Sequence, residues 1–198
     1  MRGNSLDTRA QQSHRQRVSV QAQEEIDRVL AMVALRICRT LNVEEILQTA
    51  THEIRQSLQT DRAVIYRFEA NGSGSMVAEA VGAPWPSLLQ QTTEDPRLAD
   101  YWQQVCANGQ VQVIANVGAQ DQNEYRLNLL AKAQIKANLA IPIVRSQNVC
   151  LNPSQGSETS TLWGFIATQQ CGEPREWTVS EIDFLQQLAI YIELAIQR

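Results

Sequence analysis

The sequence has little of the chemistry that metal centres and acid–base catalysts need. Only two of its 198 residues are histidines, His14 and His52, and its four cysteines are scattered without a CxxC pair. A structural zinc site needs about four Cys or His ligands, so no metal site is expected. The sequence also lacks a nucleophile elbow, a phosphate-binding loop and a plausible Ser-His-Asp set. These absences predict a protein that is not an enzyme.

Long apolar runs and a strong excess of one charge are also missing. No stretch approaches the roughly 18 apolar residues of a membrane-spanning helix, and the N-terminus lacks the apolar segment of a signal peptide. The formal net charge is −4, whereas nucleic-acid-binding domains usually present a basic face. We therefore expect a cytoplasmic protein with free thiols, without membrane insertion and without nucleic acid as its main partner.

The composition that is present predicts one folded domain. Hydrophobic residues make up 43% and charged residues 19%, as in ordinary globular proteins. Residues 1–20 are rich in Gln, Ser and Arg and predict a flexible tail, so the domain is expected over 21–198.

Apolar periodicity and turn residues predict an α+β order of elements, with an antiparallel sheet and helices against it. The predicted elements are, in order, helices at about 24–40 and 43–59, strands at 63–68 and 75–81, a helix at 98–108, a strand at 112–115, a helix at 124–135, strands at 137–144 and 162–169, and a helix reaching the end of the chain. Two helix starts carry capping residues. Asn42 with Glu45 begins the second helix, and Thr178 with Glu181 begins the last.

Both terminal helices carry apolar residues on more than one side. Apolar helix surface that one sheet cannot cover often marks a partner interface. The residues expected in the core of the chain itself are Val33, Ile37, Leu185 and Leu188. The residues expected at an interface, either of a homodimer or with another protein, are Val29, Met32, Ile190 and Leu194.

Several stretches of the chain together form a specific sequence pattern. They are Asp61–Phe68 with the Gly-rich turn after it, Val77–Glu79, Lys136–Ile143, Leu162–Cys171 and Glu173–Trp177. Together they resemble the first hairpin, the central strand and the closing strand of the bilin-binding GAF domains of phytochromes and cyanobacteriochromes. The resemblance covers about 40–198. It implies a GAF fold, in which an antiparallel sheet has the N- and C-terminal helices packed on one face and a potential ligand pocket on the other.

The same resemblance identifies the positions of a bilin site. In related domains a Cys-His pair lies on the helix before the central strand, and the Cys forms a thioether. Counting back from the strand places Tyr125 and Arg126 at these positions. A second Cys of some relatives is matched by Arg97, and a further His by Gln169, whereas the Asp that holds the pyrrole nitrogens is retained as Asp95. Neither Tyr125 nor Arg97 offers a sulfur nucleophile, so no covalent bilin is expected.

Two functions remain open at this stage. The first is a signalling or regulatory domain that acts through dimerisation or protein contacts, in an organism with phytochrome-like sensors. The second is a sensor that binds a bilin or another small molecule noncovalently. The candidate residues lining its pocket are Trp85, Asp95, Tyr125, Arg126 and Gln169. Arg126 could pair with a propionate or lie on a solvated helix face, and Asp95 could instead cap the turn at Pro96.

Overall fold

A computed structural model gives the fold of a defined part of the chain. The residues it describes are 21, 24, 27–32, 34–35, 42–89, 92–93, 95–107, 110–119, 124–147 and 159–197. The predicted tail at 1–20 lies outside this part, as do Val33 and Ile37. The side chain of Arg126 is also outside it, although its backbone is described.

From Asn42 onward, the described part contains four helices and six strands. The helices are α1 (Val43–Leu58), α2 (Pro96–Ala107), α3 (Glu124–Lys132) and α4 (Val179–Ile196). The strands are β1 (Arg62–Phe68), β2 (Gly74–Val81), β3 (Thr92–Thr93), β4 (Gln112–Ile114), β5 (Ala137–Gln147) and β6 (Thr159–Gln170). Residues 27–32 are also helical.

These elements match the predicted order, with differences at some ends. Strands β5 and β6 are longer than predicted and pair along their whole length. Helix α3 ends at Lys132, because Gln134 adopts a left-handed conformation with φ of 62°, which a continuing helix does not allow. Strand β3 was not predicted, since its two residues pair only with Gly74 and Ser75.

The six strands form one sheet in the order β3-β2-β1-β6-β5-β4, and every neighbouring pair is antiparallel. Alternation along β1 separates the two faces. Ala63 and Ile65 join the core under α1 and α4, whereas Val64 and Tyr66 join a second core with α2. The predicted α+β architecture, with the N- and C-terminal helices on one face, is therefore confirmed.

The larger core lies between the sheet and the helices α1 and α4. Ile54, Ile65, Phe184, Leu185 and Leu188 are fully buried there. The expectation that Leu185 and Leu188 pack inside the chain is therefore confirmed. Burying each such side chain contributes about 1.5–3 kcal/mol, so this face supplies much of the free energy of folding.

Side-chain caps fix where the two long helices begin. The Asn42 side chain accepts from the Glu45 amide at 3.3 Å. Thr178 and Glu181 form a reciprocal capping box, as predicted. Arg175 then joins the two helices, because it donates to Glu181 at 2.6 Å and to the Leu58 carbonyl at the end of α1 at 2.8 Å.

The predicted interface residues have different environments. Val29 is fully buried and belongs to the larger core, so its expected place at an interface is corrected: a side chain covered by its own chain offers no surface. Met32 is half-buried. Ile190 and Leu194 on α4 are 56% and 51% exposed. Within the described residues, no helix has the length and apolar character needed to cross a membrane.

Candidate functional site: the sheet face beneath α2 and α3

The face of the sheet opposite α1 and α4 carries a stack of three aromatic rings. Trp102 of α2 lies parallel to Phe165 of β6 with ring centroids 4.5 Å apart, and Phe165 lies parallel to Tyr66 of β1 at 5.0 Å. Gly164 permits this close approach of the strands, because a Cβ there would lie 2.0 Å from the Tyr66 carbonyl oxygen. The stack fixes α2 against the sheet.

A cavity of about 130 Å³ lies beside this stack, beneath α2 and α3. Its walls are mostly apolar and include Leu98, Trp102, Leu129, Ala140 and Phe165. Pockets for drug-sized ligands usually measure about 300–1,000 Å³. The side chains therefore leave room for a molecule much smaller than a linear tetrapyrrole.

One end of the cavity is polar. Gln169 and Asn138 line it, and both are buried. The Gln169 amide nitrogen donates to Asn138 Oδ1 at 3.3 Å, and the Gln169 carbonyl oxygen accepts from Arg62 Nη1 at 3.3 Å. Arg62 thus fixes the orientation of the Gln169 amide within the cavity wall.

Arg62 belongs to a buried ion pair with Glu79. Arg62 Nε lies 3.2 Å from Glu79 Oε1, and the two side chains are 0% and 2% exposed. Arg62 also donates to the Pro86 carbonyl at 2.7 Å, while Glu79 accepts from the Leu88 amide at 2.9 Å and from the Ser87 hydroxyl. Buried charges persist only when they are paired and hydrogen-bonded. This network supplies the charge pair and hydrogen bonds to both Nη atoms of Arg62. Arg62 Nε, although 3.2 Å from Glu79, forms no hydrogen bond of good geometry.

Asp95, Arg97 and Tyr125 form a second, more exposed cluster. Asp95 precedes α2 and accepts from Arg97 Nε at 3.0 Å and from the Arg97 amide at 3.0 Å. The Arg97 guanidinium carbon lies 4.1 Å from the centre of the Tyr125 ring in the first turn of α3. A cation over an aromatic face is attracted to it. The cluster therefore joins the N-terminal ends of the two helices that cover the cavity.

The pKa values of Asp95 and Tyr125 in this cluster differ from their ordinary values. Hydrogen bonding to Arg97 holds the pKa of the Asp95 carboxyl well below its usual range. Burial and then a hydrogen bond to Asp95 raise the pKa of Tyr125 to about 12. At neutral pH the cluster thus contains a carboxylate, a guanidinium and a neutral phenol.

The predicted pocket residues do not share one place. Asp95 and Tyr125 meet in the exposed cluster, and Gln169 lines the cavity. Trp85 packs instead in a small separate core with Ile114 and Cys171, so its expected place in the pocket is corrected: it does not line this cavity. The predicted pairing of Arg126 with a propionate involves a side chain outside the described part of the structure.

Sequence reasoning missed Arg62, Glu79 and Asn138, although all three were visible as polar residues inside apolar strands. Cys171 is a free, buried thiol, and burial raises its pKa. Across the described residues, no group of three or more His, Cys, Asp or Glu side chains could hold a metal ion.

Comparisons with known proteins agree with this geometry. A model of the GAF domain matches residues 42–196. A putative methyl-accepting chemotaxis protein of Synechocystis sp. is 30% identical over 170 residues, which are 86% of this chain and only 16% of that protein.

Solved structures show the same fold. The structure of the cyanobacteriochrome receptor PixJ is 30% identical, covers 79% of this chain and 95% of its own, and superposes with a TM-score of 0.65. The phycocyanobilin-bound GAF domain of a cyanobacterial phytochrome is 23% identical, covers 86% and 93%, and has a TM-score of 0.73. The chain thus belongs to the GAF domain family, with the fold of the bilin-binding GAF domains.

Proposed function

We propose that this chain is a non-catalytic regulatory GAF domain of a signalling protein, that it carries no covalently attached bilin, and that it acts through self-association. The contact between Arg97 and Tyr125 carries the first part of the proposal. These residues hold the two positions that the resemblance assigns to thiols. Neither has a sulfur atom, and a thioether needs one.

The surroundings of these two residues support the same conclusion. Asp95 is the residue that the resemblance assigns to the pyrrole nitrogens. Its carboxylate accepts from Arg97 Nε at 3.0 Å through both oxygens, and Tyr125 lies beneath the same guanidinium. A bilin whose pyrrole nitrogens reached Asp95 would have to displace Arg97 from the carboxylate.

The size of the cavity supports the absence of a bilin independently. At about 130 Å³, it is less than half the smallest usual volume of a pocket for a drug-sized ligand.

The deciding experiment is purification of the chain from cells that also make phycocyanobilin, with absorption spectra before and after acid–urea denaturation. We expect no visible band bound to the denatured protein. The phycocyanobilin-bound phytochrome GAF domain, produced in the same cells, is the positive control for chromophore supply. A bilin that stays attached to this chain after denaturation would overturn the proposal.

Self-association is supported by the outer face of α4. Ile190 and Leu194 are four residues apart, so they lie on one side of the helix, and both are more than half exposed. Leu35 of the N-terminal helical residues is also exposed, by 57%. A second copy of the chain is the simplest cover for this face, because a two-fold axis buries the same apolar side chains on both copies.

A further inference from the structure

We propose that the cavity beneath α2 and α3 binds a small, neutral, single-ring aromatic molecule that carries one oxygen, as phenol does. The site is independent of self-association through α4. The cavity lies on the face of the sheet for which we propose no attached bilin. The experiment below tests phenol binding separately from bilin attachment.

The volume selects the size of the ligand. The cavity measures about 130 Å³. An apolar protein cavity of about 150 Å³ stays dry and binds benzene, so a single six-membered ring fits this space. The cavity is partly open to the surface, so a fused two-ring molecule or a longer chain would extend out of it into solvent.

The walls select the chemistry of the ring. Leu98, Leu129 and Ala140 supply aliphatic surface, and Trp102 and Phe165 supply aromatic surface. An apolar ring transferred from water to such walls is stabilised by the removal of its apolar surface from solvent. Rings also favour stacked or edge-to-face contact with other rings, which Trp102 and Phe165 offer and an aliphatic cavity would not.

The polar end of the cavity favours a ligand with one oxygen that accepts a hydrogen bond. The Gln169 amide carries two N–H groups, and one of them suffices for its contact with Asn138. Because Arg62 holds the carbonyl oxygen of Gln169, the amide nitrogen is oriented as a donor. Gln169 and Asn138 are only 3% and 5% exposed, so a ligand oxygen would meet donors that are already desolvated.

The same end disfavours an anionic ligand. Arg62 is the nearby cation, and Glu79 neutralises it at 3.2 Å. A carboxylate entering the cavity would therefore be desolvated without an unpaired positive charge to compensate it. The proposed ligand is neutral for this reason.

Phenol binding to the purified full chain tests the proposal, by isothermal titration calorimetry and by the thermal midpoint at rising phenol concentration. We expect saturable binding at one site per chain and a rising midpoint. Benzene and 1-naphthol are expected to bind more weakly than phenol, and benzoate not detectably. Absence of saturable phenol binding, or equally tight binding of 1-naphthol, would overturn the proposal.

Two substitutions locate the site. Ala140→Leu fills the cavity from β5 and should abolish phenol binding, and Leu129→Phe should do the same from α3 if Ala140→Leu fails to fold. Gln169→Met keeps the side-chain length but removes the amide. It should reduce the preference for phenol over benzene by about two- to tenfold, the range of one hydrogen bond.

Gln104→Glu on the exposed side of α2 is the matched control and should bind phenol normally. Unchanged binding in a folded, cavity-filled variant would show that phenol binds elsewhere and would overturn the assignment. These results are independent of bilin attachment and of oligomeric state, because the chain is produced in cells that make no bilin and sedimentation of the same samples reports self-association separately.

Discussion

At the scale of single residues, the ion pair of Arg62 and Glu79 shows how a buried charge is kept in this fold. Each group sits on a different strand and faces the cavity side of the sheet. Glu79 lies opposite Val64, and Arg62 lies opposite Val81, so the two side chains meet diagonally. Removing one partner of such a pair leaves the other charged, desolvated and alone.

We predict that Glu79→Gln lowers the free energy of unfolding by about 3–5 kcal/mol, the cost of breaking a buried pair. Urea denaturation measures the change. Glu69→Gln is the matched control, because Glu69 pairs with Arg67 on the surface, where both side chains are 46% exposed. This control substitution should lower the free energy of unfolding by at most about 1 kcal/mol. Similar losses in the two variants would refute the buried-pair argument.

This pair also marks a limit of prediction from the sequence. Each residue was visible in an apolar strand, but their meeting depends on the register of β1 with β2 and on the bulge between Ile65 and Tyr66. The alternation of apolar and polar residues shows which face of the sheet a side chain lies on. It does not show which residue of the neighbouring strand lies beside it. Val29 was misplaced for a related reason, since a helix pattern does not say which neighbour covers each side.

Tyr125 carries a residue-scale prediction about pH. Its pKa is raised from 10.0 to about 12 in the folded chain, so the unfolded chain loses this proton first as pH rises. The stability that comes from this shift is therefore complete below about pH 10 and is lost as pH rises through 12.

We expect an alkaline titration of tyrosinate absorbance to contain a late step that Tyr125→Phe removes. Tyr191→Phe removes a tyrosine on α4, across the sheet from the cluster, and should leave the late step in place. If Tyr125→Phe left the late step intact, Tyr125 would not be the tyrosine whose pKa is raised.

At the scale of elements, local signals explain which parts were predicted well. Helices α1 and α4 begin at the capping residues Asn42 and Thr178. Each cap is followed three residues later by a glutamate, and this pattern is visible in the sequence. The hairpin of β1 and β2 follows from alternation and a Gly-containing turn. Strand β3 has no such local signal, because its two residues are ordered only by pairing with β2.

The cap of α4 gives a prediction at this scale. Thr178→Ala removes the oxygen that accepts from the Glu181 amide at 3.3 Å and should cost about 0.5–2 kcal/mol of stability. Chemical denaturation measures it. Ser180→Ala, an exposed position within the same helical turn, serves as the control and should change stability by no more than about 0.5 kcal/mol. Equal effects would mean that the cap adds nothing beyond helix propensity.

At the scale of the whole molecule, the sheet separates two different surfaces. One face is covered by α1 and α4, whose outer side carries Ile190 and Leu194. The other is covered by α2 and α3, which form one side of the partly open cavity. The α+β order of elements was predicted from sequence patterns, and the division of the two faces was implied by the resemblance to bilin-binding GAF domains. The small size of the cavity depends on side-chain packing that no sequence pattern encodes.

We predict that Ile190→Glu and Leu194→Glu each shift the chain from dimer to monomer, because each places a carboxylate in a desolvated apolar contact. Sedimentation velocity over a range of concentrations measures the change. Gln104→Glu adds the same charge on the opposite face and should leave the dimer intact. A wild-type chain that stays monomeric at every concentration would contradict the proposed interface.

The cluster of Asp95, Arg97 and Tyr125 has an evolutionary consequence. A mutation from Tyr125 to Cys would supply a thiol, but it would also remove the ring beneath the Arg97 guanidinium while the cavity stayed at about 130 Å³. On the proposed assignment, each single step towards a chromophore therefore loses a contact and gains no light response. Covalent attachment of a chromophore to this chain would therefore need several coordinated substitutions, whereas a change in the cavity lining that suits another small molecule needs only one.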